Sequence, residues 1–160
     1  MMTCRSDLIV GIDPGKKGAI CIMDKDENII ELHDLSASPE LIIHPLLIQY
    51  KGWIKKISLE KVGSQAKDGR VSVFSFGENV GRIKASCSLI GLPITEVTPR
   101  AWQSWCNVYG AGENTKKKAF AIVSKKYGEN RFLGPRGGLI DGRCDAVLIA
   151  AYLNELLNKK

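Results

Sequence analysis

A mixed α/β domain, with a five-stranded sheet carrying helices on both faces, is the fold class this sequence predicts. Three observations predict it. The run Leu8–Asp13 is continuously apolar up to a single carboxylate and is broken by Pro14-Gly15, as a buried strand would be. Two more β-rich segments follow at once across short polar breaks, giving an antiparallel meander. Helical patterns then alternate with two further strands, and the resulting order β-β-β-α-β-α-β-α-α-α implies a mixed sheet with helices on its faces.

The first strand ends in Asp13, and the Gly-rich break to Gly18 reads as a hairpin longer than a standard tight turn. The second strand spans about Ala19–Asp24, Lys25–Asn28 forms a polar turn, and Ile29–Leu35 alternates imperfectly as a third strand. Ser38-Pro39-Glu40 is a helix start, with a cap residue, proline at the first position and an acid in the first turn. That helix runs to about Tyr50, with Pro45 expected to shorten or kink it. Ile54–Lys61 reads as a strand carrying Glu60 at its end, and 63–70 as a polar loop.

From Val71 to about Leu89 the pattern is helical and is stopped by Gly91 and Pro93. Gly77, Gly81 and Ala85 share one face of it. Each glycine costs about 1 kcal/mol against alanine, which close approach to the sheet or to a partner subunit would offset; a frayed first turn is the equal alternative. Ile94–Val97 is a short strand, Thr98-Pro99 opens a helix through Trp105, and Gly110-Ala111-Gly112 breaks it. Thr115–Tyr127 is a lysine-rich helix, 131–139 a glycine-rich loop expected to be mobile, and Asp141–Leu157 a strongly apolar last helix.

The 160 residues suit one domain spanning 1–160, large enough for a core without staples. No apolar run reaches the roughly 20 residues of a membrane span, and the first residues lack the apolar segment of a secretory signal. Five cysteines, odd in number and without CxxC pairing, read as reduced thiols of a cytosol-like compartment. Cys21 and Cys87 read as small apolar filler. The net charge of +6 and pI near 9.1 suit an anionic partner, nucleic acid first, without establishing one.

Four carboxylates fall where chain geometry can gather them. Asp13 and Glu60 each end a strand, and those strands are the expected central parallel neighbours. Asp141 and Asp145 share one face at the start of the last helix. Asp141 also suits a plain N-cap, but Asp145 precedes Ala146-Val147-Leu148-Ile149 on a helix that should be buried, where a lone carboxylate is expensive. Gathered acids raise one another's pKa, and divalent cations remove that penalty. Taken alone, Asp13 leaves nuclease, kinase-like ATPase and plain turn open, and spacing alone favours four unrelated surface acids.

Taken together, Asp13-Pro14-Gly15 after a strand, Glu60 ending a later strand, the Leu92-Pro93 and Val97-Thr98-Pro99…Trp102 stretches, and the closing Asp141-Gly142-Arg143-Cys144-Asp145-Ala146 resemble the RuvC-type Holliday junction resolvases, in feel the phage- and plasmid-type branch. The resemblance covers Ile9 to Tyr152. It implies an RNase H-like fold, and a symmetric dimer that nicks opposed strands of a four-way DNA junction during recombination and repair. It further implies Mg²⁺ or Mn²⁺, as two ions held by Asp13, Glu60, Asp141 and Asp145, with Lys116 approaching the scissile phosphate. The chain departs from the bacterial type in three places: its last two acids are four apart and not three, Gly63 stands where a base-stacking phenylalanine is found, and a second lysine between Val97 and Gly110 is absent. Phe74 is a candidate for the stacking role, and Arg100 for the lysine, with Gln103 and Ser104 standing in that interval.

Basic residues adjoin each acid and suit phosphate positioning: Lys16, Lys17, Lys67, Arg70, Arg100, Lys117, Lys118, Arg136 and Arg143, with Arg131 nearby. Trp102 and Trp105 read as core more readily than as stacking platforms, and His33 and His44 as structural. The alternatives are an RNase H-like nuclease acting on RNA–DNA hybrid or RNA, a junction-binding protein without chemistry, and, weakest, an actin-like ATPase, whose fold needs two such domains.

Overall fold

The computed structural model describes residues 7–35, 37–61, 63 and 69–159. Its sheet is built from β1 (Leu8–Asp13), β2 (Ala19–Met23), β3 (Ile29–Asp34), β4 (Ile54–Glu60) and β5 (Ile94–Val97), in the order β3-β2-β1-β4-β5. The first three form the expected meander, β1 against β2 and β2 against β3 antiparallel. β1 pairs with β4, and β4 with β5, in parallel. Asp13 and Glu60 therefore leave the sheet at the same end, from neighbouring central strands.

Alternation along the strands sorts two cores. Leu8, Val10 and Ile12 of β1 and Ile57 and Leu59 of β4 face α1 (Glu40–Tyr50) and α2 (Arg70–Ile90). Ile9, Ala19 and Cys21 face α3 (Pro99–Trp105), α4 (Thr115–Tyr127) and α5 (Asp141–Asn158). With period two, Asp13 shares the α5 side with Ile9, and Glu60 lies opposite Leu59. Parity alone thus brings both strand-end acids under the last helix.

α5 lies closer to the sheet than ordinary side chains permit. A Cβ on Gly11, at the middle of β1, would stand 2.3 Å from the Ala146 carbonyl oxygen, and one on Gly142 would stand 2.0 Å from the Lys17 carbonyl oxygen. Both values are far inside van der Waals contact, so these glycines are what let α5 sit with its first turn on the β1–β2 hairpin.

Three expectations are corrected. Pro45 does not shorten α1, which runs through it to Tyr50; the carbonyl it leaves without a helical donor is that of the exposed Leu41. The face of α2 carrying Gly77 and Gly81 does not approach the sheet, since a Cβ on either meets nothing within 4 Å. The segment after α4 is more structured than a plain loop. A 3₁₀ turn, Glu129–Phe132, buries Phe132, and a Leu133–Leu139 bridge and a Gly134 N–H to Gly138 carbonyl bond close it into a short hairpin. A further 3₁₀ turn, Gly112–Asn114, leads into α4. Among the described residues no helix is long and apolar enough to cross a membrane.

Candidate active site

Asp13 is half-buried at the end of β1, and its Oδ1 accepts the Gly15 N–H at 2.9 Å. The turn thus engages one carboxylate oxygen of Asp13. Gly18 belongs to the same turn: a Cβ there would stand 2.0 Å from the Asp13 carbonyl oxygen. Its small size answers to the chain's own packing before any ligand.

Glu60 is positioned from the next strand pair. β5 pairs in register with β4, Val97 opposite Glu60, and the Lys61 N–H bonds the Val97 carbonyl at 2.7 Å. The chain then turns at Thr98, whose hydroxyl accepts the Ala101 N–H, and enters α3. From that helix the indole of Trp102 reaches back, its Nε1–H donating to Glu60 Oε1 at 2.8 Å.

Asp141 and Asp145 come from the first two turns of α5. The Lys116 ammonium, at the start of α4, lies 2.5 Å from Asp141 Oδ2. The cleft between α3, α4 and α5 has a volume of about 500 Å³ and is lined by Gln103, Gly112, Glu113, Thr115, Lys116 and Asp145.

The four acids feel one another. Burial pushes the Asp145 carboxyl up to about 8, helped by the charges of Asp13, Glu60 and Asp141 and opposed by Lys116. Glu60 rises to about 7, chiefly from burial and then against the Trp102 hydrogen bond, with Asp13 adding to the rise. Asp13 is raised by burial and by Asp141, while the Gly15 N–H and Lys116 hold it down. Lys116 is itself raised, first by its hydrogen bond to Asp141. Three carboxyls held above their ordinary range at one end of the sheet are a store of electrostatic cost that a cation would release.

The donors are all carboxylate oxygens, the ligands of hard divalent ions. Among the described residues, however, no three His, Cys, Asp or Glu side chains close on a common point as a finished shell. Asp13, Glu60 and Asp141 each have one oxygen already engaged, by Gly15, Trp102 and Lys116. That arrangement suits an ion such as Mg²⁺, which keeps several waters and takes only one or two protein oxygens. It does not suit one requiring an all-protein cage.

The basic residues divide. Lys116 is in the cleft. Lys16 and Lys17 are exposed on the hairpin beside Asp13, and Lys117 and Lys118 follow Lys116 on α4. Arg100 is exposed and stacks over the Tyr109 ring at 5.6 Å, an aromatic partner the sequence did not suggest. Arg70 opens α2 and Arg136 lies in the hairpin before α5, both exposed. Lys67 lies outside the described residues. Arg143 is turned away from the acids: it donates to both Asp34 oxygens, at 2.7 and 2.9 Å, and to the Arg131 carbonyl at 2.8 Å. It ties α5 to β3 along a separate hollow that Arg131 and Ile29–His33 also line. Sequence reasoning missed Gly11, Gly142 and the donor role of Trp102. Of these only Gly142, inside the Asp141–Asp145 motif, carried a signal.

No family model matches the sequence, and no curated protein matches it. Solved structures do. The Thermus thermophilus RuvC in complex with Holliday junction substrate superposes with a TM-score of 0.63 at 13% identity, covering 93% of this chain and 95% of that one. The fowlpox virus Holliday junction resolvase gives 0.63 at 16% identity, over 94% and 99%. The yeast mitochondrial Holliday junction resolvase gives 0.60 at 14%, over 94% and 79%. Bacterial, viral and mitochondrial enzymes match alike, so the likeness singles out no branch. The fold of this chain is the one shared by these resolvases, a mixed five-stranded sheet with helices on both faces.

Proposed function

We propose that the protein is a metal-dependent, structure-specific endodeoxyribonuclease that resolves four-way DNA junctions by paired nicks. One observation carries this reading: Asp13, Glu60, Asp141 and Asp145 come from β1, β4 and α5 to one sheet end, with the carboxyls of Asp13, Glu60 and Asp145 raised and Lys116 paired with Asp141. The shared fold supports it, since the bacterial and fowlpox neighbours were solved with Holliday junction DNA.

Asp13, Glu60, Asp141 and Asp145 are the residues that would hold Mg²⁺, with Mn²⁺ substituting, as two ions. Bound there, the metal would supply an activated water and screen charge developing on the phosphodiester. The chain's own part is to keep the carboxylates oriented and the cleft open. Lys116 provides a positive charge that offsets the developing oxyanion once a phosphate enters beside it. Lys16, Lys17, Lys117 and Lys118 would track the junction arms through phosphate contacts, which give affinity and not sequence reading. Arg100, Arg70, Arg136 and Lys67 would extend that track; Arg143 keeps its pair with Asp34 and is left out. The thiols of Cys21, Cys87, Cys106 and Cys144 are free, which suits a reducing, cytoplasmic setting.

A homodimer completes the reading, because two opposed nicks need two sites. The exposed face of α2 is the proposed seam. Val71, Phe74 and Leu89 are 69–85% exposed there, and Gly77 and Gly81 leave open space for a second helix.

The test is cleavage of a synthetic four-way junction in Mg²⁺, beside linear duplex and RNA–DNA hybrid. Symmetric nicks confined to the junction are expected, with Asp13→Asn binding the junction but cutting it at least about 10²-fold more slowly. Cutting of the hybrid alone would make the protein a ribonuclease H. Equal cutting of duplex and junction would remove the structure specificity.

A further inference from the structure

Trp102 is fully buried, yet its one polar atom is spent on Glu60, 42 positions away in sequence, and not on a backbone carbonyl. A buried indole N–H needs an acceptor, but a half-buried carboxylate at the end of a strand is a costly choice when carbonyls abound. We propose that Trp102 is the positioning residue for Glu60: its indole fixes the plane of the carboxylate, occupies Oε1, and presents Oε2 alone to an incoming cation. The inference rests on the metal-nuclease reading above and adds to it how one ligand is set.

Three features of the contact support this. The indole is a neutral donor with no acceptor capacity, so it orients Glu60 without cancelling the negative charge a cation needs. An ammonium in the same place would compete with the metal. Next, the ring cannot swing away. It has no exposed surface, and it packs with Val97, Val108 and Ala119 in the α5-side core. Lys116, by contrast, is 68% exposed and free to leave Asp141. Finally, donor and acceptor ride on one bracket. Glu60 ends β4, Val97 opposite it ends β5, and Thr98 caps the helix that carries Trp102. Gln103, the next residue, lines the cleft with Lys116 and Asp145. α3 thus presents one residue to the ligand and the next to the substrate space.

The experiment is Mn²⁺ binding to the protein without DNA, followed by electron paramagnetic resonance of the free ion. Trp102→Phe, which keeps the packing and removes the N–H, is expected to weaken Mn²⁺ binding by about tenfold, the lower end for loss of a group orienting a metal ligand. In a Glu60→Gln background the same change is expected to have no further effect. Wild-type affinity in Trp102→Phe would overturn the proposal, as would an equal loss in both backgrounds, which would mark a general packing defect. Should Trp102→Phe fail to give the wild-type circular dichroism spectrum, benzothienylalanine incorporated in a Trp53→Phe/Trp105→Phe background replaces the N–H by sulfur and keeps both rings. Unchanged Mn²⁺ affinity in that protein would overturn the proposal equally. A wild-type protein that fails to cut junctions while the Mn²⁺ cycle behaves as expected would defeat the nuclease reading and sustain the role of Trp102.

Discussion

At the scale of single residues, Asp145 sets the pH behaviour. Its carboxyl holds a proton to about 8 in the folded chain and releases it near 4 once unfolded. Folding is thus favoured by this group at low pH, and the contribution is lost as pH rises through 8. Metal-free protein is expected to melt lower at pH 9 than at pH 6, and Asp145→Asn to flatten that slope. At pH 9 the variant should gain on the order of 1 kcal/mol, about 3 °C at this chain length, read by thermal denaturation in EDTA. Wild-type Mg²⁺-dependent cleavage should run the other way and rise with pH, because the acids must ionise to bind the ion. Lys116→Ala should slow cleavage by about 10²-fold with little change in junction affinity, read by single-turnover kinetics and gel shift. Chain grammar put the four acids at strand ends and a helix start, but spacing alone left them unrelated, and only the resemblance to a known family grouped them as one site. The Trp102–Glu60 bond was not legible, since an indole on a short helix reads as core, and the core reading is also true.

At the scale of elements, the last helix was predicted almost to the residue, but not how closely it lies. Periodicity reports which face of α5 is buried; the distance to the sheet is written in Gly11 and Gly142, single small residues to which the helical and strand periods are blind. Gly142→Ala is expected to cost about 1–3 kcal/mol through overpacking and to depress cleavage further than its stability loss explains, because it lifts Asp141 and Asp145 off the hairpin. Paired urea melts and cleavage rates at saturating Mg²⁺ check this. Arg143 teaches the same lesson from the other side. Its place between two acids suggested phosphate, whereas Asp34, 109 residues away, claims it. Likewise the hairpin before α5 was read from its glycines as loose chain, while the buried Phe132 anchors it.

At the scale of the whole molecule, order, layers and the parallel β1–β4 pair followed from the strand and helix pattern. Any surface shared with another copy did not, because a stripe of glycines is silent about its occupant. Gly81→Ala separates the cases. In a monomer it should stabilise the exposed α2 by about 1 kcal/mol; in the proposed dimer Gly81→Leu should instead halve the mass found by sedimentation and abolish paired nicking. Junction affinity should fall steeply with salt in either case, since the proposed lysine and arginine contacts are to phosphate.

The tight seam between Gly11 and Ala146 reaches beyond geometry. The acids are fixed to the neighbouring strands β1 and β4 and to the helix pressed on the sheet, and not to a loop that opens by itself. Amides of Ile9–Ile12 and Ala146–Ala150 should therefore exchange with deuterium only through global unfolding, the slowest class in the protein. If so, the protein has no partly melted form that keeps its shape and loses its site. In rising urea, cutting and tertiary structure should vanish along a single curve.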